Sequence, residues 1–257
     1  MDLTTTRSGL AEGARAVAHG ARLLGRHPAW WVWVIAPALI TAASLVAAVV
    51  GTFQLWGDVA TAAADALGVA RRGLTWGALS AASFLGVLGG LSVAAVIVGQ
   101  VAAGPFLDLL SARVEREACG RGELAPLSMS DLARDLVASV VHSLAVLTMY
   151  LALACPLSLL QLVPVVGQVV AVPAAIGLAA LYLAREAWDY PMSRRRWGLG
   201  RKLRAVRAAR APAMGLGLGG VALLAIPGVN LLAMPVVVVG GTWLFVKLED
   251  DGAFPEG

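Results

Sequence analysis

Apolar residues dominate four long stretches that contain no Asp, Glu, Lys or Arg: 28–57, 73–107, 136–184 and 211–246. About 20 apolar residues, each rising roughly 1.5 Å, cross a hydrocarbon layer of about 30 Å, so every stretch is long enough to enter a bilayer. Lipid offers a backbone no hydrogen-bond partner, which predicts helix wherever these stretches meet it. The pattern predicts an all-α integral membrane protein. Two spanning helices are expected at 30–53 and 74–103, followed by two proline-broken helical hairpins, re-entrant or half-penetrating, at 136–184 and 211–246. Ahead of them, residues 8–26 read as an N-terminal amphipathic interfacial helix. Leu10, Ala14, Val17, Ala21 and Leu24 recur at helical spacing, with Glu12, Arg15, His19, Arg22 and Arg26 on the other side. Such a helix lies in the head-group layer with its basic face toward phosphates, although a solvated helix packed on protein would show the same pattern. Pro28 ends it, and Trp30, Trp31 and Trp33 mark an interface belt.

Between the first two spans, 54–72 is polar enough to leave the membrane, carrying Asp58, Asp65, Arg71 and Arg72. Small residues in the second span (Gly86, Gly89, Gly90, Ser92, Ala94, Ala95) permit close helix contact. Gly104-Pro105 is expected to stop that span, with a charged helical connector from Asp108 to Asp135. The last two stretches are each interrupted halfway. In the third, Pro156 and Pro164 bracket a turn; in the fourth, Pro227-Gly228-Val229-Asn230 leaves halves of about 24 Å at 1.5 Å per residue, short of a full crossing. The interruptions resemble each other. Gln168-Val169-Val170-Ala171-Val172-Pro173 matches Asn230-Leu231-Leu232-Ala233-Met234-Pro235 in the placing of amide, Ala and Pro. Matched breaks in apolar segments point to a transport site, while two tight turns in a helical bundle would leave the same trace.

Composition narrows the chemistry. The chain has 257 residues, 14% of them charged, and a mean hydropathy of +0.78. A single membrane domain over 1–257 is expected. Cys119 and Cys155 lie in unlike surroundings, and no histidine cluster, Gly-rich phosphate loop or serine elbow is present, so neither an enzyme, a metal site nor a cofactor is expected. The basic excess hugs the membrane segments, which favours anionic lipid head groups over nucleic acid as its partner. With both termini cytoplasmic and each hairpin returning to its own side, only Arg71 and Arg72 of the 20 Lys and Arg fall outside, as the positive-inside rule requires of a multi-pass inner-membrane protein. The 185–210 loop alone holds nine basic residues.

An anion needs guanidinium forks, backbone N–H groups or helix N-termini. The broken hairpins supply such ends after Gly167-Gln168 and after Gly228-Asn230, where amides can face a permeating ion without a full charge entering lipid. No Arg or Lys lies deep in a span, which favours a weak conducting route over a tight carrier site. Asp108 reads as a pore-mouth or gating charge, or simply as a helix-end residue. Asp189 with Arg194-Arg195-Arg196 can tie the connector to the hairpins by ion pairs, or serve as a positive cluster on lipid. His142 in its apolar run is a proton relay or a packing histidine.

Four segments in register resemble the CysZ sulfate-permease family, which shares its domain with the eukaryotic etoposide-induced membrane protein. They are Ala103-Gly104-Pro105-Phe106-Leu107-Asp108-Leu109-Leu110-Ser111, Val163-Pro164-Val165-Val166-Gly167-Gln168, Asp189-Tyr190-Pro191 and Ile226-Pro227-Gly228-Val229-Asn230-Leu231-Leu232-Ala233-Met234-Pro235. The resemblance implies an oligomeric permease, in all expectation a homo-oligomer, passing sulfate or a related small oxyanion inward for sulfur assimilation. It also implies an anion site at the start of the first membrane helix, built on Gly-x-Arg-Arg. Here those positions read Ala29-Trp30-Trp31-Val32, leaving Arg22 and Arg26 as the nearest positive charges upstream. The rival reading is a non-transporting membrane scaffold that binds anionic lipid or partner proteins.

Overall fold

In the computed structural model, which describes residues 3–121, 148, 150, 152–161, 165 and 167–254, all regular structure is helical. Helix α1 runs Leu3–Arg26, and a 3-10 turn at Pro28–Trp30 leads into α2, Trp31–Leu67. Helix α3 spans Gly73–Arg113 and passes into a π-helical turn, Val114–Ala118. Residues 152–160 form α4, and a second π-turn at Gly167–Ala171 opens α5, Val172–Arg194. Then follow α6 (Leu199–Ala208), α7 (Arg210–Leu224) and α8 (Asn230–Asp250). Among the described residues, Pro28–Leu67, Gly73–Ala118, Gly167–Arg194 and Asn230–Asp250 are each long and apolar enough to cross a membrane; α7 is shorter.

The helices outrun the sequence pattern. Helix α2 continues through Asp58 and Asp65, because alanines at 60, 62, 63 and 64 sustain helix where charge alone suggested a loop. Gly104-Pro105 does not stop α3. A proline deprives only the carbonyl four residues back of its donor, and membrane helices absorb that loss. Pro156 likewise sits inside α4, and the chain turns at Gln161 and Val165, the latter with φ of 67°. Pro164, His142 and the connector beyond Arg121 lie outside the described residues. The 185–210 segment is not a loop: α5 extends to Arg194 and α6 fills most of the rest. The break at Pro227-Gly228 is present, with Gly228 at φ of 83° in the turn between α7 and α8.

The chain divides into two compact units, 1–30 with 108–257, and 31–107. In the second, α2 and α3 pair antiparallel. Trp33 meets Phe106 at 6.1 Å, Phe53 meets Phe84 at 5.8 Å, and Gly99 faces Thr41 so closely that a Cβ would clash. Much of their surface is bare: Leu39, Val46, Phe53, Leu85 and Val93 are all exposed, as lipid-facing side chains must be. Gly86, Gly89 and Gly90, expected to seat a neighbour, meet no atom of the described residues within 4 Å. They lie off the face that α2 covers.

The first unit is a bundle in which α7 and α8 pack on each other and are flanked by α1 and α5. Helix α1 is amphipathic, and of the Leu10–Ala14–Val17–Ala21–Leu24 face only Val17 and Leu24 belong to its buried stripe. Ala14 and Ala21 are exposed, while Gly9, Gly13, Ala16, Val17, Gly20 and Leu24 are buried. The smaller side chains win because they let backbones touch. A Cβ on Gly13 would overlap the Pro212 carbonyl; one on Gly215 would overlap the Leu10 carbonyl. Gly240 stands the same way against the Ala16 carbonyl, and Gly217 against that of Ala180. Moving an apolar side chain from lipid to protein releases little water, so such helices associate through dispersion at close range.

Gly215→Ala and Gly240→Ala should each therefore cost about 1–3 kcal/mol of stability through overpacking, seen as a lower thermal midpoint in detergent. Gly86→Ala, with open space around it, should leave the midpoint unchanged or raise it slightly through helix propensity. Equal effects at the three positions would refute the assignment of the packed stripe.

Candidate anion route and its ionic end

Each break in the apolar stretches opens a helix end. At the first, Gly167 is buried with its Cα against the Gln161 backbone, where a Cβ would lie 2.6 Å from the Gln161 Cα. Only glycine lets residue 167 come this close to the Gln161 backbone as the π-turn leads into α5. At the second, Gly228 takes the left-handed conformation that L side chains resist, and Asn230 begins α8 with no side-chain cap. Gln168 and Asn230 are both exposed, and neither amide side chain has a hydrogen-bond partner among the described residues. They remain open to a ligand. Arg22 and Arg26 stay on the exposed side of α1, with no bond to either break among the described residues. Their charge is felt locally: burial first, then the two guanidiniums, holds the His19 imidazole below its ordinary pKa, where its ring lies tilted against Trp243 at 4.3 Å.

The other candidate charges do converge. Arg194, at the end of α5, donates to Asp108 Oδ1 at 2.5 Å, to Ser111 Oγ at 2.8 Å and to Glu115 Oε1 at 2.8 Å. Arg195 donates to the same Glu115 oxygen at 3.1 Å and forks onto Glu249 through Nε and Nη2 at 2.7 and 2.6 Å. Its guanidinium also lies 4.9 Å from the Phe245 ring centre. Arg121 closes the circle onto Glu249 and Asp250. Burial alone would lower the Arg195 pKa, but the Glu249 hydrogen bonds and the Glu115 and Glu249 charges outweigh it and hold it above its usual value. The network joins the ends of α3, α5 and α8, and the buried Ser111–Thr242 hydroxyl pair at 2.7 Å pins α3 to α8 beside it. Asp189 belongs to a neighbouring cluster, accepting from Lys202 Nζ at 3.0 Å and pairing with Arg185 at 3.6 Å.

Glu115, Glu249 and Ser111 complete this network, and the sequence pattern did not single them out. Glu115 is buried because the wider π-turn carries it inward to both arginines. Arg194 and Arg195 already have carboxylate partners, so the cluster is a compensated clamp and not a vacant anion seat. An open groove of about 500 Å³ between Trp56, Trp76, Ser80 and Phe84 in the α2–α3 unit carries no charged lining residue either.

Two measurements check this electrostatics. Glu115→Gln leaves two guanidiniums short of a partner and should cost about 3 kcal/mol, whereas Asp65→Asn, in the solvent-exposed pair with Arg71, should not move the thermal midpoint. Cys119, half-buried and facing Glu115 and Asp250, has its thiol pushed by burial and then by those carboxylates up to about 11. In a Cys155→Ser protein its alkylation rate should keep climbing to about that pH; a plateau near neutrality would contradict the burial.

Known proteins carry similar sequences. Residues 16–235 match the family described as Sulfate transporter CysZ/Etoposide-induced protein 2.4. The chain is 32% identical over 159 residues to a protein named Sulfate transporter CysZ from Pseudomonas aeruginosa, covering 61% of this chain and 63% of that protein. Proteins of the same name from Pseudomonas fluorescens and Pectobacterium atrosepticum are each 30% identical, over 153 and 149 residues. These alignments cover 59% and 58% of this chain, and 60% and 54% of those proteins. The matched region thus spans less than two thirds of the length of these relatives. Apolar helices of spanning length over most of the matched region make this a membrane protein. By the extent of that match, the chain belongs to the Sulfate transporter CysZ/Etoposide-induced protein 2.4 family.

Proposed function

We propose that the protein is a permease that passes sulfate, or a closely related small oxyanion, across the inner membrane into the cytoplasm for sulfur assimilation. The carrying observation is the pair of helix breaks, where α5 and α8 start without a side-chain cap and the exposed amides of Gln168 and Asn230 have no hydrogen-bond partner among the described residues. Backbone N–H groups and amides at helix N-termini favour an oxyanion without burying a cation in lipid. The relatives' name supports sulfate as the ion, and it favours transport over a scaffold role. In this reading both hairpins dip in from the cytoplasmic side, both termini are cytoplasmic, and Arg22 and Arg26 draw anions to the surface. Asp108, Arg194 and Arg195 form a latch at the route's inner mouth, with Asp189 beside it. Because each latch arginine is already paired, an ion passes the latch by competing for guanidinium, not by resting on it. The protein acts as a homo-oligomer within anionic lipid.

Proteoliposomes loaded without sulfate should accumulate labelled sulfate above protein-free vesicles. Replacing both amides, Gln168→Leu with Asn230→Leu, should cut the flux about thirtyfold if each amide contributes about 1 kcal/mol. Normal flux in that variant would remove the helix ends from the route. No flux in correctly inserted wild type would leave the scaffold reading standing.

A further inference from the structure

Helix α6 is basic, amphipathic and unexplained by passage of an ion. Its inner face is fixed: Lys202 and Ala205 are buried, and the Lys202 ammonium donates to Asp189 at 3.0 Å and to Ser193 Oγ at 2.8 Å. That contact turns Arg204 and Arg207, one helical turn apart, outward, and both are exposed. Arg196, just before the helix, is exposed too, and holds a φ of 54° that an L residue adopts only at a cost. None of these three side chains has an ion pair among the described residues. Exposed Leu199 adds apolar surface beside them, while part-buried Trp197 packs against Phe245 at 5.6 Å and Phe254 at 5.9 Å under the Arg201 guanidinium, 4.3 Å over its ring.

The position of the helix decides what it meets. Apolar α5, long enough to cross a membrane, ends at Arg194, and apolar α7 begins at Arg210. A ten-residue helix reaches about 15 Å, so with both ends tied to membrane-embedded segments α6 stays at the bilayer surface. The anions present there in a continuous sheet are lipid phosphates.

We propose that Arg196, Arg204 and Arg207 form a docking surface for the head groups of anionic phospholipids, holding α6 flat on the membrane. The outward arginines bind the phosphate layer, Leu199 enters the head-group boundary, and the Lys202–Asp189 contact keeps the helix rolled in that direction. This surface does not depend on what the protein transports, and its test does not read flux.

The full chain is placed in phosphatidylcholine nanodiscs containing traces of spin-labelled phosphatidylglycerol or spin-labelled phosphatidylcholine. Electron spin resonance then gives the relative association of the two lipids with the protein. Wild type should prefer phosphatidylglycerol, and R196Q/R204Q/R207Q should lose at least about fivefold of that preference. The lysine counterpart, R196K/R204K/R207K, should keep most of it, which separates lost charge from lost fold. Preference unchanged in the glutamine variant, or absent in wild type, overturns the proposal. So does loss of wild-type preference on exchanging chloride for sulfate at matched ionic strength, which would make the arginines a seat for the free ion.

Discussion

Backbone-to-backbone contact between helices is the constraint on which the first unit depends. In lipid the usual reward for burying Leu or Phe is nearly absent, since the alternative surroundings are equally apolar. What remains is dispersion, which falls away within a fraction of an ångström of optimal contact. Gly13 and Gly215, then Gly20 and Gly240, bring α1 onto α7 and α8 until carbonyls lie where a methyl group would be. Helix α8 is enclosed as a consequence, with an almost unbroken buried run from Pro235 to Leu248. The α2–α3 hairpin follows another rule. One tight point at Gly99 against Thr41 and a line of aromatic contacts hold it, and most of its surface is left for lipid.

Charge is handled at one end of that bundle. The arginines after α5 are distributed among carboxylates from α3, its π-turn and α8, so three chain segments distant in sequence are tied by ionic hydrogen bonds and one hydroxyl pair. Such a cluster is strong only while complete, because removing a partner strands a half-buried charge. The clamp lies at the carboxyl ends of α5 and α8, whereas the breaks at Gln168 and Asn230 lie at their amino ends, so the ionic contacts and the open helix ends occupy opposite ends of the same two helices.

The apolar stretches, the break at Pro28 and the turn at Pro227-Gly228 were legible because each is a local property of a short window. So was the amphipathic character of α1. Its packed face was not, since hydropathy ranks leucine above glycine whereas contact distance ranks them the other way. Pro105 and Pro156 misled for a related reason: proline removes one hydrogen bond, and whether that ends a helix depends on surroundings a sequence does not display. The convergence of Arg194 and Arg195 on the connector could be anticipated from their position after a span. Glu115 and Glu249 as partners could not, because nothing local distinguishes them from any other surface carboxylate.

The order in which these helices are made gives the glycine stripe of α1 a further meaning. It leaves the ribosome long before its partners: α7 and α8 follow roughly 200 residues later, about 10–40 s at roughly 5–20 residues per second. Throughout that interval the segment has backbone grooves but nothing to fill them. A purely apolar helix would be drawn across the bilayer while waiting, and a purely polar one would drift away. Its mixed character lets it linger at the water boundary until the carboxyl-terminal pair arrives to claim it.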